Sequence, residues 1–420
     1  MGASASKPRI AITGVGVVSS LGIGAETYYQ GLRMGKSGAV VKDTWTEEGL
    51  DKAFFYPCPE INIKDYFQDL KAPFPQRYSQ LAMMGCQTAV RSAGLENSEI
   101  PNDRIGLLLN TSLAANAAVE NYLEKLFRDG PQKASPFEFT KTVSNTALGD
   151  VTRYYKFRGA SSLLLGENSV TYGYDLLRNN EADIIICGGF DEIRDILMLS
   201  YEANDHLVGC HPDGELTAGQ LLLKALEREG MEDKTVIGEA ASFVVLEKLE
   251  HAKARGAGII AEVVNYHTES DHSYQRFIFE RNEETFASVM KESLEHARLQ
   301  PADIDCVVGA SCLPWQYNNY EGKAIEELWG EGEVYFTTVK PMIGETFGAS
   351  GQSSLVAAAM MMKNREVLGH GLPEKHFHQG KTRVNAPEKT VESVDLRHVM
   401  VNSIHSGGNT TSIILRNPNL

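Results

Sequence analysis

The chain has 420 residues, 42% hydrophobic and 23% charged, with a formal net charge of −15. That length is enough for two domains or one duplicated unit. The acidic balance argues against nucleic acid or an anionic membrane as a main partner, and no apolar run approaches the roughly 18 residues that cross a bilayer.

Met1 to Pro8 is short and polar, so no secretory signal is expected. Gly2 with Ser6 matches a myristoylation pattern in form and reads as a small-residue leader. Ile10 to Val18 reads as a buried strand entering a glycine turn. It lacks the GxGxxG spacing of a dinucleotide loop, and Gln30 stands where a P-loop needs glycine. Ser79 to Ala93 is a core helix with Leu81, Met84, Ala89 and Val90 on one side, and Cys86 there is packing. Ile105 to Thr111 is the next buried strand. Pro136 to Val151 reads as a loop and a helix, with Asn145 either a cap or a functional position.

Arg158 to Glu192 is the stretch around which the chain is organised. It reads as turn, helix, buried strand and glycine turn. Gly166, Glu167 and Asn168 sit where the helix starts, and Val170, Gly173, Tyr174 and Leu177 share one of its faces. Asp183 to Cys187 is an apolar run closed by Gly188 and Gly189, as in a strand covered on both faces. His206, Cys210, His211 and Asp213 do not follow a standard zinc spacing, and the turn reading of Pro212 to Gly214 is preferred. The six cysteines show no CxxC pairing, which points to a reducing cytoplasm. Gly238 to Gly256 is a strand and helix in which His251 is structural. Ile259 to Tyr266 opens a second half. Tyr266 to Asn282 reads as an exposed loop, Thr285 to Leu299 as an amphipathic helix, and Ala302 to Ser311 as a turn and buried strand.

Four segments, GVGVV, GEAASFVVLEKLEHAKARGA, KPMIGETFGASG and NSIHSGGN, together resemble the β-ketoacyl synthases, over Arg9 to Arg416. The resemblance implies an α/β, thiolase-like fold of duplicated α-β-α-β-α layers, with halves at 1–257 and 258–420. It also implies a reaction centre: a cysteine ending a strand at a helix start, two histidines, and backbone amides for the oxyanion. Here the cysteine position reads Leu163 or Leu164, and no cysteine lies between Cys86 and Cys187. The first histidine position is Ala310, followed by the retained Glu321. The second is Glu345, with Lys340 retained, and the two read as an ion pair. The closing motif has lost both phenylalanines; Ile404 stands at the first of those positions, and His405 stands beside the old pocket.

A kept scaffold with an emptied centre resembles the chain length factor, the β-subunit of a heterodimeric ketosynthase. That likeness implies a catalytically inactive subunit paired with an active ketosynthase α-subunit, shaping the tunnel of a growing acyl or polyketide chain. Leu163, Leu164, Leu165, Phe137, Phe139, Asn145, Ile404 and His405 are the expected tunnel residues. No cofactor of its own is implied; the phosphopantetheine of an acyl carrier protein arrives as carried substrate. Such subunits usually carry glutamine at the cysteine position. Its absence here argues against a decarboxylase role. Two alternatives remain: an active acyltransferase using Cys312 or His405 with Glu345, and a non-catalytic acyl-binding scaffold.

Overall fold

Runs such as Ile105–Thr111 and Ile184–Asp191 carry apolar residues on both faces, the pattern of strands covered on both sides, and every residue of both is buried. The fold was obtained as a computed structural model that describes residues 7–46, 49–71, 74–96, 100–166, 168–210, 216–228, 231, 233–272, 279, 281–377 and 380–420. Among these, a 12-stranded sheet carries the fold. Ten of its strands matter here: β1 (Ile10–Ser19), β2 (Ile105–Thr111), β3 (Ser161–Leu165), β4 (Ile184–Asp191) and β5 (Ala240–Lys248), then β6 (Ala261–Ser270), β7 (Cys306–Val308), β8 (Glu333–Thr337), β9 (His398–Ile404) and β10 (Asn409–Arg416).

The order across the sheet is β8, β7, β9, β10, β6, β1, β5, β4, β2, β3, with Arg383–Asn385 beyond β8. Read inward from their outer edges, the two sets of five repeat one order. In each set, counted along the chain, the second strand is parallel to the third and fourth, and the other pairs are antiparallel. The sets meet where Ile10, Ala11 and Ile12 face Val263, Glu262 and Ala261.

Five helices complete the layers: α1 (Arg77–Ser92), α2 (Thr146–Tyr155), α3 (Ser169–Arg178), α4 (Glu283–Ala297) and α5 (Ser350–Asn364). α5 is buried almost along its whole length and touches β5 on one side and β9 on the other. α3 lies beside it, packing Val170, Tyr174 and Leu177 into the same core. α1 covers the outer face of the first set with Leu81, Met84 and Ala89, and α4 covers the second with Phe286, Met290 and Leu294. Helix, sheet, helix, sheet, helix is the thiolase-like layering that the resemblance implied.

Two expectations change. Tyr266 to Asn282 was expected as an exposed loop, but β6 runs to Ser270 and pairs with β10 throughout. The strand is only half buried, so polar residues such as His267 and Glu269 suit it and leave no apolar run to read. In the segment weighed as a metal site, His206 Nδ1 meets the Asp233 carbonyl at 2.8 Å and Cys210 is buried, while His211 and Asp213 lie outside the described residues, as do Gly2 and Ser6. His251 pairs with Glu247 at 2.5 Å, beside Arg255 on the same carboxylate, as a structural residue should.

Candidate reaction centre

The resemblance places the nucleophile where a strand gives way to a helix. β3 ends at Leu165 and α3 begins at Ser169. Leu163 and Leu164 therefore stand inside β3, paired in register with Leu109 and Asn110 of β2. Leu163 is half-buried against the outer core, and Leu165 is 63% exposed on the last strand of the sheet. The expectation that Leu163 or Leu164 holds the nucleophile's position is corrected on this geometry: both precede the turn. So is the idea that three leucines wall the turn.

The residue at the turn is Asn168. It caps α3, its Oδ1 accepting from the Val170 N–H at 3.0 Å, and it is 2% exposed. Gly166 makes the bend with φ +71, and a Cβ there would lie 2.0 Å from the Ser406 carbonyl oxygen. Only glycine fits both demands. The turn thus abuts the closing glycine loop, and Asn409 Nδ2 donates to the Gly166 carbonyl at 2.7 Å.

Behind the turn a chain of amides crosses the core. Asn110, in β2, accepts from the Ser169 N–H at 3.1 Å and from Gln352 Nε2 at 2.6 Å, and donates to the Gly348 carbonyl at 2.6 Å. Gln352 also reaches Asn168 Oδ1 at 3.1 Å and Ser169 Oγ at 3.0 Å. At the end of β4, Asp191 accepts from Thr111 Oγ1, the Ser112 and Leu113 N–H groups and the Gly348 N–H. Burial pushes this carboxyl up to about 6 despite those donors.

The two histidine positions are equally enclosed. Ala310 is 1% exposed. Its N–H and that of Ser311 each donate to the Glu321 carboxylate at 3.0 Å, joined by Ser311 Oγ at 2.6 Å and Asn402 Nδ2 at 2.9 Å. Glu321 therefore organises this loop through backbone donors. Lys340 Nζ lies 2.6 Å from Glu345 Oε2, with side chains 2% and 3% exposed. Glu345 Oε1 takes the Phe347 N–H at 2.7 Å. Phe347 holds φ +51, an uncommon conformation for a bulky residue, between the two carboxylates that bind its own and the next N–H.

Ile404 and His405 are each 1% exposed. His405 Nε2 sits 3.0 Å from Ser403 Oγ. Burial, then the Arg281 and Lys340 cations, push the imidazole down to about 3. Cys312 is also buried, and desolvation followed by the nearby Glu345 charge pushes its thiol up to about 12. A buried thiol shifted up and a buried imidazole shifted down make a poor nucleophile and a weak general base.

Phe137 and Phe139 are 51% and 54% exposed on the short helix Pro136–Phe139. Asn145 stands at the N-cap position of α2 without a side-chain cap bond. Phe137 and Asn145 line a surface cavity of about 540 Å³ with Val143, Lys141, Asp150 and Arg153. The eight expected tunnel residues are thus scattered: the three leucines on the edge strand, Phe137 and Asn145 at this surface cavity, Phe139 exposed on the same short helix as Phe137, and Ile404 and His405 in the sealed core. They do not surround one void. Sequence reasoning placed Asn168 at the helix start without giving it a role in the site, and missed Asn110, Gln352 and Asp191. A small polar residue just before a helix start was the available signal for the first; the others are joined only by the fold.

Residues 7–252 match the family described as Beta-ketoacyl synthase, N-terminal domain, and residues 260–370 match Beta-ketoacyl synthase, C-terminal domain. The chain belongs to the β-ketoacyl synthase family. Among curated relatives, the 3-oxoacyl-[acyl-carrier-protein] synthase 2 of Staphylococcus aureus (strain COL) is 25% identical over 419 residues, covering 97% of this chain and 98% of that protein. The namesake from Coxiella burnetii is 28% identical over 370 residues, covering 85% and 86%. Among solved structures, the ishigamide ketosynthase/chain length factor has a TM-score of 0.81 at 24% identity, covering 98% of this chain and 100% of that one. A type II polyketide synthase ketosynthase in complex with its acyl-carrier protein, AntDE:AntF, also scores 0.81, at 20% identity, covering 98% and 99%.

Proposed function

We propose that this chain is a catalytically silent ketosynthase-like subunit, of the chain length factor kind. It pairs with an active ketosynthase and bounds the space into which a carrier-protein-borne acyl chain grows. The observation that carries this reading is the joint state of the centre. No thiol stands at the turn before α3, Ala310 cannot move a proton, and Glu345 is neutralised by Lys340. The likeness to a ketosynthase/chain length factor structure supports it. The partner surface on this reading is the outer edge of β3, where unpaired strand groups and the exposed Leu165 offer a template for another strand.

Against the alternative of a relocated nucleophile stand the buried, inert Cys312 and the neutral His405. The test is co-expression with an active ketosynthase of type II architecture. The reading expects a one-to-one complex whose product length differs from that of the ketosynthase alone. Failure to associate with any such partner would favour the free scaffold.

A further inference from the structure

The helix Asn116–Asp129 is lightly anchored. Of its 14 residues only Ala117 and Ala118 are buried, while Leu123 and Phe127 are 39% and 82% exposed. Two alanines bury little apolar area, so polar contacts weigh more in holding it down. One such contact comes from the chain leaving β4: Arg194 Nε lies 3.1 Å from Glu120 Oε2, with both side chains partly exposed. The other ion pair reaching off this helix, Lys125 Nζ to Glu138 Oε1 at 2.5 Å, goes to the neighbouring short helix Pro136–Phe139.

Two residues before Arg194 stands a carboxyl without a donor. Glu192 is 2% exposed, and its Oε1 is buried with no hydrogen-bond partner. Arg194 keeps extended backbone, φ −110 and ψ 159, in which side chains two apart share a face. Burial, and next the Glu239 charge, push Glu192 up to about 7 against the pull of Arg194 and Arg77. The other groups facing it are engaged. Arg77, from α1, gives Nη2 to Glu239 Oε2 at 2.6 Å and to the Cys58 carbonyl at 3.1 Å. Tyr78, also from α1, donates its hydroxyl to the Lys141 carbonyl at 3.0 Å. Asp191 is taken up by Thr111 and by the Ser112, Leu113 and Gly348 N–H groups. Of the two cations, Arg194 is the one whose partner lies at the surface.

We propose that Glu192 and Glu120 compete for Arg194, so that loss of the buried proton to solvent draws the guanidinium inward and releases the helix Asn116–Asp129, with its exposed Leu123 and Phe127. The direction follows from the costs. A carboxylate stranded in the interior is expensive, whereas a half-exposed ion pair contributes little when kept and costs little when broken. The helix is therefore held below neutral pH and loosened above it. This switch lies outside the reaction centre and does not depend on how that centre is read.

Hydrogen exchange of the full chain, read by mass spectrometry at about pH 5.5 and about pH 8 and corrected for the intrinsic rate at each pH, tests it. Protection of peptides from 116–129 should fall about two- to fivefold at the higher pH, the worth of one half-exposed pair, while α4 in the other half of the sheet keeps its protection. E192Q, close in shape to the protonated acid, should hold the helix equally at both pH values. E120Q should leave it loosened at both. Protection of 116–129 that does not change with pH in the wild type overturns the proposal. So does E192Q showing the wild type's fall, or E120Q as protected as the wild type at the lower pH.

Discussion

The ion pair inside the former histidine site gives the sharpest energetic prediction. Lys340 and Glu345 are 2.6 Å apart and almost fully enclosed. At an effective dielectric near 20, two unit charges at that separation attract by about 6 kcal/mol. Removing both ions from water costs several kcal/mol each, so the pair as a whole contributes little. Breaking it is another matter. K340M strands the Glu345 carboxylate in the core and should cost about 3–5 kcal/mol, whereas K340M/E345M should recover to within about 1–2 kcal/mol of the wild type. Urea unfolding of the wild type, both single variants and the double variant completes the cycle. A double variant as unstable as K340M would refute the reasoning, as would a K340M cost below about 1 kcal/mol.

Four other outcomes follow from the same geometry. Burial, and next the Glu239 charge, push Glu192 up to about 7 from an ordinary value of 4.5. The folded state then holds a proton that the unfolded chain has lost, so stability should fall as pH rises from about 4.5 to 7. E192Q should flatten that slope in thermal midpoints, and an unchanged slope would contradict it. All six cysteines are buried, so native protein should resist Ellman's reagent until it unfolds, when six thiols report; rapid native labelling of Cys312 would disagree. G166A must fit a methyl 2.0 Å from Ser406 oxygen at positive φ and should cost about 2 kcal/mol or more in denaturant unfolding. L165K, on the open edge of β3, should leave the free chain's stability within about 0.5 kcal/mol while weakening complex formation with a ketosynthase in size-exclusion chromatography.

Much of the layout was legible because buried strands and amphipathic helices write themselves into composition. Ile105–Thr111 was readable to the residue, and the helix expected at Ser79 to Ala93 forms as Arg77–Ser92. The Lys340–Glu345 pair was readable too, since its partners are five residues apart. The strand order shared by the two halves was not, because pairing between distant segments leaves no local pattern. The turn before α3 shows the limit most clearly. Its glycine and Asn168 marked a helix start, yet counting along a resemblance put the nucleophile's position at Leu163 or Leu164, inside the strand. Position in a turn depends on where the backbone bends, and a count of residues does not supply that. The amide chain lay further out of reach: Asn110 and Gln352 are 242 residues apart in sequence.

The chain alone should carry out no condensation. Purified protein incubated with acyl- and malonyl-loaded carrier protein, then read by intact-mass spectrometry and product analysis, should show no acyl adduct and no condensed product. An adduct on Cys312, or turnover by the isolated chain, would contradict it.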